Sequence, residues 1–212
     1  MKIPSDIRII ELLALISIVA AWVTVLLSIS LNPWFRVTAN ALSDLGGGNL
    51  ALNGHPSPTD PWIYNYGLIL TGIFILAFSS FSIRLGENKI ENAGLSFFII
   101  SGLFLALIGI YHEGTYPHDF VSIWFFILSS ISFFTVGISL VSKAPRYGIF
   151  MIIFLVAAWV AYSMVNWQST AEDEIFGILV IDVTVLIYLM SLRTRYLSGR
   201  KANGAIDHKN GN

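Results

Sequence analysis

The chain alternates long apolar runs without charged side chains with short segments that hold nearly all of the charge. A helix needs about 20 residues at ~1.5 Å each to cross ~30 Å of hydrocarbon. Five runs are long enough and free of charge, and a sixth is interrupted only by Asp182. The pattern predicts an all-α, polytopic bundle of six transmembrane helices, with spans at about residues 12–31, 62–83, 92–111, 120–142, 147–167 and 175–192.

The sequence also predicts the structure of the segments outside these runs. Residues 32–61 form a long loop, in which 32–45 mixes apolar and polar side chains like an interfacial helix and ends at a glycine hinge, 46–48. Residues 193–212 are polar and basic, which predicts a disordered tail. Cleavage of the first run as a signal peptide would leave five spans, but its length exceeds the usual ~7–15 apolar residues of such a peptide.

The distribution of lysine and arginine predicts the orientation. Eleven of the twelve lie on the side that carries both termini, and only Arg36 lies on the other side. By the positive-inside rule both termini are cytoplasmic and the long loop faces outward from the cell (plasma) membrane. The formal charge of the chain, −1, then divides into about −6 outside and +6 inside, with Asp182 in between.

Composition narrows the classes of function. With 55% hydrophobic and 12% charged residues and a mean hydropathy of +0.73, the chain lacks the polar surface of a soluble domain. The near-zero net charge excludes a generally basic nucleic-acid binder, and the absence of cysteine excludes disulfides and thiolate metal sites. Membrane lipids are the expected partners, and the oligomeric state is left open.

Small and hydroxyl side chains recur at helical spacing in the first two runs. Such stripes let helices approach closely in lipid, so both are predicted to face the bundle interior, as packing seams or as a substrate path. The stripes consist of Ser17, Ala21, Thr24 and Ser28 in the first run, and of Asn65, Gly72 and Ser79 in the second.

The connection between the third and fourth runs is rich in metal-ligating side chains. Together with the long loop on the same side, it could hold zinc or another divalent ion that activates water, although the spacing matches no established zinc signature. This gives the hypothesis of an outward-facing, metal-dependent membrane hydrolase acting on lipids; the other interpretation is a solvated loop with Asp119 capping the fourth helix. The candidate ligands are His55, His112, His118 and Asp119.

Asp182 supports a hypothesis from another class. A carboxylate inside a membrane span is costly and needs a partner, for which Asn65 or a hydroxyl of the first run is predicted. Asp182 then serves a proton- or ion-coupled carrier, or it only ties helices together. The candidate catalytic residues for either activity are Asp44, Glu113 and Asp182.

Three stretches together resemble an uncharacterised family of prokaryotic six-helix membrane proteins, domain-of-unknown-function family 998, and more distantly the Frag1/DRAM-type membrane proteins. They are Asn40-Ala41-Leu42-Ser43-Asp44-Leu45-Gly46, the Ile63-Tyr64-Asn65-Tyr66-Gly67 start of the second run, and the Glu113 to His118 loop followed by Trp124-Phe125-Phe126. The resemblance implies the six-helix topology and a bacterial or archaeal cell membrane, without an established activity. It singles out a polar cluster of Asn40, Ser43, Asp44 and Asn65, with His118.

Asn40 and Asp44 lie four residues apart, and Asn65 lies one turn into the second span. A polar lid over the bundle mouth is therefore predicted, which either closes a substrate site or only ties the loop to the helices. The molecular function is undetermined at this stage: a lipid- or envelope-associated membrane protein is favoured, with the metal-dependent hydrolase and the Asp182 carrier as alternatives.

Overall fold

The computed structural model describes residues 4–48 and 54–210, with side chains as far as Ser198. The described residues form six long helices and contain no strand. We number them in chain order and call the short 3-10 helix η1. The bounds are α1 Ser5–Leu31, η1 Leu42–Leu45, α2 Pro61–Ile83, α3 Lys89–Ile110, α4 His118–Lys143, α5 Pro145–Met164 and α6 Thr170–Asn210.

All six helices are long and apolar enough to cross a membrane, and in α6 this applies to Thr170–Ser198. The protein is therefore a multi-pass membrane protein, and the predicted six-helix bundle is confirmed. With an even number of crossings, the start of α1 and the end of α6 lie at one end, which we call the terminal end. The described connections at residues 32–48, 54–60, 111–117 and 165–169 lie at the opposite end, the mouth end.

Helix starts follow from local sequence. Pro61 and Pro145 occupy first-turn positions of α2 and α5, where a missing N–H costs nothing. The Asn88 side chain caps α3 by accepting a hydrogen bond from the Glu91 amide at 2.9 Å. In α6, helical backbone continues beyond the predicted span end at residue 192, and the side chains after Ser198 lie outside the described residues. Disorder of the tail stays a prediction.

The predicted interfacial helix over residues 32–45 is wrong. Only Leu42–Leu45 are helical, and the preceding residues form turns. Leu42 and Leu45 are 1% and 0% exposed, so η1 inserts into the mouth of the bundle, whereas residues 36–39 before it are exposed. The start of the segment is fixed by Asn32, whose side chain accepts from the Thr59 amide at 2.7 Å and donates to the Ser28 carbonyl at 2.9 Å.

The two predicted seams lie between packed helices. Ser17, Thr24 and Ser28 are buried in α1, and Gly72 and Ser79 are buried in α2. A β-carbon on Gly72 would stand 2.5 Å from the Gly102 carbonyl oxygen of α3, so these two helices touch backbone to backbone.

A buried ion pair ties α3 to α6 near the terminal end. The Arg195 guanidinium donates two hydrogen bonds to the Glu91 carboxylate, at 2.7 and 2.9 Å, and the Tyr188 hydroxyl donates a third at 3.1 Å. Glu91 is 0% exposed. We call Glu91, Tyr188 and Arg195 the clamp.

α5 packs over only part of its length. Its buried residues are Gly148, Met151 and Leu155, all in the half toward the terminal end. Further along, Trp159 and Tyr162 are 48% and 41% exposed. The mouth-end half of α5 therefore stands away from the bundle.

Candidate functional site

The mouth end gathers polar side chains from the long loop, α2, the α3–α4 connection, α4 and α6. We call this group the mouth cluster. Its members are Asn40, Ser43, Asp44, His55, Asn65, Glu113, His118 and Glu174.

η1 is held in the mouth by carboxylates at both sides. The Asp44 carboxylate accepts from the Ala41 amide at 2.9 Å and from the Asn40 side chain at 3.3 Å, so Asn40 and Asp44 do contact each other. From α6, Glu174 accepts from the Leu42 amide at 2.6 Å. These bonds satisfy backbone donors that burial removes from water.

The glycines after η1 are packed, not a hinge. Asn65 donates to the Gly46 carbonyl at 2.9 Å, and a β-carbon on Gly46 would collide with the Asn65 and Tyr64 side chains. A β-carbon on Gly47 would stand 2.5 Å from the Glu113 carbonyl oxygen. The run is therefore explained by close approach of the loop to α2 and to the α3–α4 connection.

Asp44 also faces His55. The His55 Nε2 lies 3.0 Å from the Asp44 Oδ1, an ion-pair distance, and both side chains are nearly inaccessible. The His55 ring stacks on Trp34 with centroids 4.7 Å apart and an interplanar angle of 5°. The long loop thus closes over its own carboxylate and histidine.

His118 and Glu113 form the second histidine–carboxylate pair. The His118 Nδ1 lies 2.7 Å from the Tyr111 carbonyl oxygen, and its Nε2 lies 3.0 Å from the Glu113 Oε2. A neutral imidazole has one N–H donor, yet both nitrogens here face oxygen acceptors. His55 has the same arrangement, with its Nδ1 2.7 Å from the Pro56 carbonyl oxygen and its Nε2 beside Asp44, so this geometry is not specific to a metal site. Ser43 donates to the same Glu113 oxygen at 3.0 Å.

The four predicted metal ligands do not surround one point. Among the described residues, His118 and Asp119 belong with Glu113 to a group whose ligand atoms lie within 4.8 Å of one another. His55 pairs instead with Asp44, and the His112 Nδ1 lies 3.0 Å from the Glu113 carbonyl oxygen. The arrangement of backbone carbonyl, histidine and carboxylate at His118 is common around protein-bound metals.

A cavity of about 80 Å³ lies beneath η1 at the centre of the bundle. Ser43, Ser122 and Glu174 line it at the mouth, and Leu68, Ile75, Leu105 and Val185 are among its apolar walls. We call it the central cavity. Ser122 also lies 3.5 Å from the His118 Nε2, so the cavity reaches the mouth cluster.

Asp182 lines the central cavity from α6. It lies twelve residues after the start of the helix, about 18 Å along its axis, and is therefore deep in the membrane span. Its partner is the indole N–H of Trp22, which donates at 2.8 Å. The prediction of Asn65 or a hydroxyl as partner is wrong, because Asn65 is engaged with Gly46 and the donor from α1 is an indole.

Several residues of the site were not predicted. Glu174 lies in an acidic first turn of α6 that resembles any solvated helix start, and Trp22 and Trp34 look like ordinary apolar side chains. One signal was available in the sequence, a stripe of residues at helical spacing on one face of α6. The stripe consists of Glu174, Ile178, Ile181, Asp182 and Val185. The stripe begins with the carboxylate of Glu174 and also contains that of Asp182. Carboxylates on an otherwise apolar helix face indicate that the face lines an interior cavity.

Comparison with known proteins identifies a family without an activity. A family model described as "Protein of unknown function (DUF998)" matches residues 15–191. Because this is well over half of the 212 residues, the chain belongs to that family, and the resemblance carried by the motifs is confirmed. No curated protein and no solved structure matches the chain.

Proposed function

We propose that this member of the DUF998 family binds a membrane lipid or a similar amphiphile, with the polar end of the molecule at the mouth cluster. One observation carries the proposal: the central cavity joins Ser43, Ser122 and Glu174 directly to apolar walls, which matches a molecule that is polar at one end. In the orientation predicted from lysine and arginine, the mouth end faces outside and the ligand comes from the outer leaflet.

The size of the cavity limits which part of the ligand it holds. About 80 Å³ is far less than the ~300–1000 Å³ of typical ligand pockets. The central cavity therefore accommodates the polar end and the atoms next to it. The hydrocarbon chain lies elsewhere.

The test fills the central cavity. Ala21 lines it, and Ala20 beside it does not. We expect Ala21→Phe to lower at least tenfold the lipid that stays bound to the protein during purification, measured by native mass spectrometry, whereas Ala20→Phe leaves the amount unchanged. Equal lipid retention in the two variants, or no retained lipid in the unmodified protein, would contradict the proposal.

A metal-dependent lipid hydrolase is the second candidate function. It is favoured by the Glu113, His118 and Asp119 group, whose ligand atoms lie within 4.8 Å of one another. A divalent ion such as zinc at these residues would activate a water molecule to add across a lipid ester, giving an acid and an alcohol.

Metal analysis separates the two candidates. The hydrolase requires about one Zn²⁺ per chain after dialysis against zinc, and its loss in the His118→Ala variant. His112→Ala is the matched control, because His112 lies outside the group. Binding that is equal in both variants, or absent from the unmodified protein, removes the hydrolase and leaves lipid binding.

A carrier that uses Asp182 is supported by the position of this residue on the central cavity. Proton uptake into vesicles that contain the purified protein, measured with a pH dye, tests it. Asp182→Asn should abolish uptake, and uptake that persists in this variant rejects the carrier.

A further inference from the structure

A cleft of about 300 Å³ opens between α4, α5 and α6 in the mouth-end half of the bundle. Ile127, Trp159 and Val180 contribute to its apolar walls. At its mouth-end rim stand Tyr162, Asp173 and Glu174, and the Tyr162 hydroxyl is 3.5 Å from the Asp173 carboxylate. We call it the lateral cleft. Like the central cavity, the lateral cleft is polar at the mouth end and apolar toward the middle of the bundle.

The lateral cleft exists because the mouth-end half of α5 is not packed. Beyond Leu155 none of its residues is buried, and Trp159 and Tyr162 stand partly exposed on the cleft side. The chain has an apolar exterior throughout these helices, so in a membrane the opening faces lipid rather than water.

Phe126 stands between the lateral cleft and the central cavity. Both are lined by Ser122, Phe126, Glu174 and Ile181. The Phe126 ring rests on α6 at Gly177, where an added β-carbon would be 2.6 Å from its Cε1. Between the two spaces there is thus a layer one side chain thick, with Glu174 at the polar end of each.

We propose that the lateral cleft binds the acyl chain of a membrane lipid whose head carries no net negative charge. This rests on the proposed function: Ser122 and Glu174 line both spaces at the mouth end, so a head group at the mouth cluster lies beside the entrance to the lateral cleft, which supplies the volume for the chain without crossing Phe126. The lining includes the carboxylates of Asp173 and Glu174 and, among the described residues, no lysine or arginine. Without a cationic side chain, this lining offers an anionic head group no charge partner.

Photo-crosslinking tests the position of the chain. The full-length protein in phosphatidylcholine nanodiscs is illuminated with a phosphatidylcholine that carries a diazirine on one acyl chain, and the adducts are mapped by mass spectrometry. We expect adducts on the walls of the lateral cleft, at Phe176 and Val180. Ala158→Phe fills the cleft from α5 and should lower these adducts at least fivefold.

The neighbouring residue provides a matched control. Ala157 is exposed and does not line the cleft, so Ala157→Phe should leave the adducts unchanged. If Ala158→Phe does not fold, Ser130→Phe fills the cleft from α4 and should remove the adduct at Val180. Adducts that persist within twofold in a folded cleft-filling variant overturn the proposal, as does their absence from the unmodified protein.

Competition tests the charge of the head group. Unlabelled phosphatidylethanolamine, which is zwitterionic, should displace the probe at least threefold better than anionic phosphatidylglycerol; equal or better displacement by phosphatidylglycerol overturns this part. Failure here is distinct from failure of the proposed function. Lipid retention that depends on Ala21 but not on Ala158 upholds binding at the mouth and rejects the lateral cleft.

Discussion

The clamp between α3 and α6 allows a quantitative test of what holds the terminal end together. The Glu91 carboxylate accepts two hydrogen bonds from Arg195 and one from Tyr188, and the Glu87 amide adds a fourth at 3.2 Å. Removing one partner of a buried ion pair typically costs ~3–5 kcal/mol, because the other charge stays buried without compensation. We therefore expect Glu91→Gln and Arg195→Met each to lower the free energy of unfolding by about 3 kcal/mol.

A double-mutant cycle separates the pair from its surroundings. The variant with both substitutions should be less destabilised than the sum of the two single variants by about 2 kcal/mol, since it leaves no unpaired charge. The free energies come from reversible unfolding in mixed micelles, followed by tryptophan fluorescence and circular dichroism. The partly exposed pair Arg193–Glu11, with 4.0 Å between charged atoms, is the control, and Arg193→Gln should cost at most ~1 kcal/mol. Additive effects within ~0.5 kcal/mol would refute the interpretation of the clamp as a coupled pair.

Three further predictions concern the mouth end, the membrane interior and the topology. Gly46→Ala forces its β-carbon against Asn65 and should cost ~1–3 kcal/mol in the same unfolding assay; an unchanged midpoint would show that the loop is loosely packed. Trp22→Phe removes the hydrogen bond to Asp182 and should cost ~1–3 kcal/mol, most of it recovered in the Trp22→Phe, Asp182→Leu double variant; no recovery would place the cost in packing. Because the chain contains no cysteine, single variants Ser57→Cys and Ser198→Cys can be labelled in intact cells with an impermeant maleimide. The predicted orientation requires labelling of the first alone, and the reverse pattern contradicts it.

The spans could be predicted because the cost of placing a charge in hydrocarbon is a local property of the sequence. Which charged side chains pair with each other could not be predicted from the sequence. Glu91 precedes the predicted third span by one residue and Arg195 follows the sixth, so both have the positions expected of solvated loop charges. They lie 104 residues apart and are joined in the structure by a bidentate bond. A pattern of apolar runs contains no information on such partners.

The candidate site was predicted in composition but not in geometry. The four-residue spacing correctly predicted that Asn40 lies near Asp44, because any compact turn, helical or not, places residues four apart close together. Spacing could not select Asp44 as the partner of His55, because that pairing depends on how the loop folds back against Trp34. Hydrophobic periodicity within 32–45 is the same for a buried segment and for an interfacial one.

The two ends of the bundle differ in a way that bears on function. At the terminal end, α5 is packed and the clamp satisfies its buried carboxylate with four donors. At the mouth end, α5 stands away and the lateral cleft opens toward lipid. The central cavity, which Asp182 lines, also lies toward the mouth end, and a groove at the terminal end, lined by Glu87 and Arg195, shares no lining residue with either space. This asymmetry favours a protein that binds its ligand from one leaflet over a carrier, which needs access from both sides, and it makes the loss of lipid in Ala21→Phe a more direct test than transport.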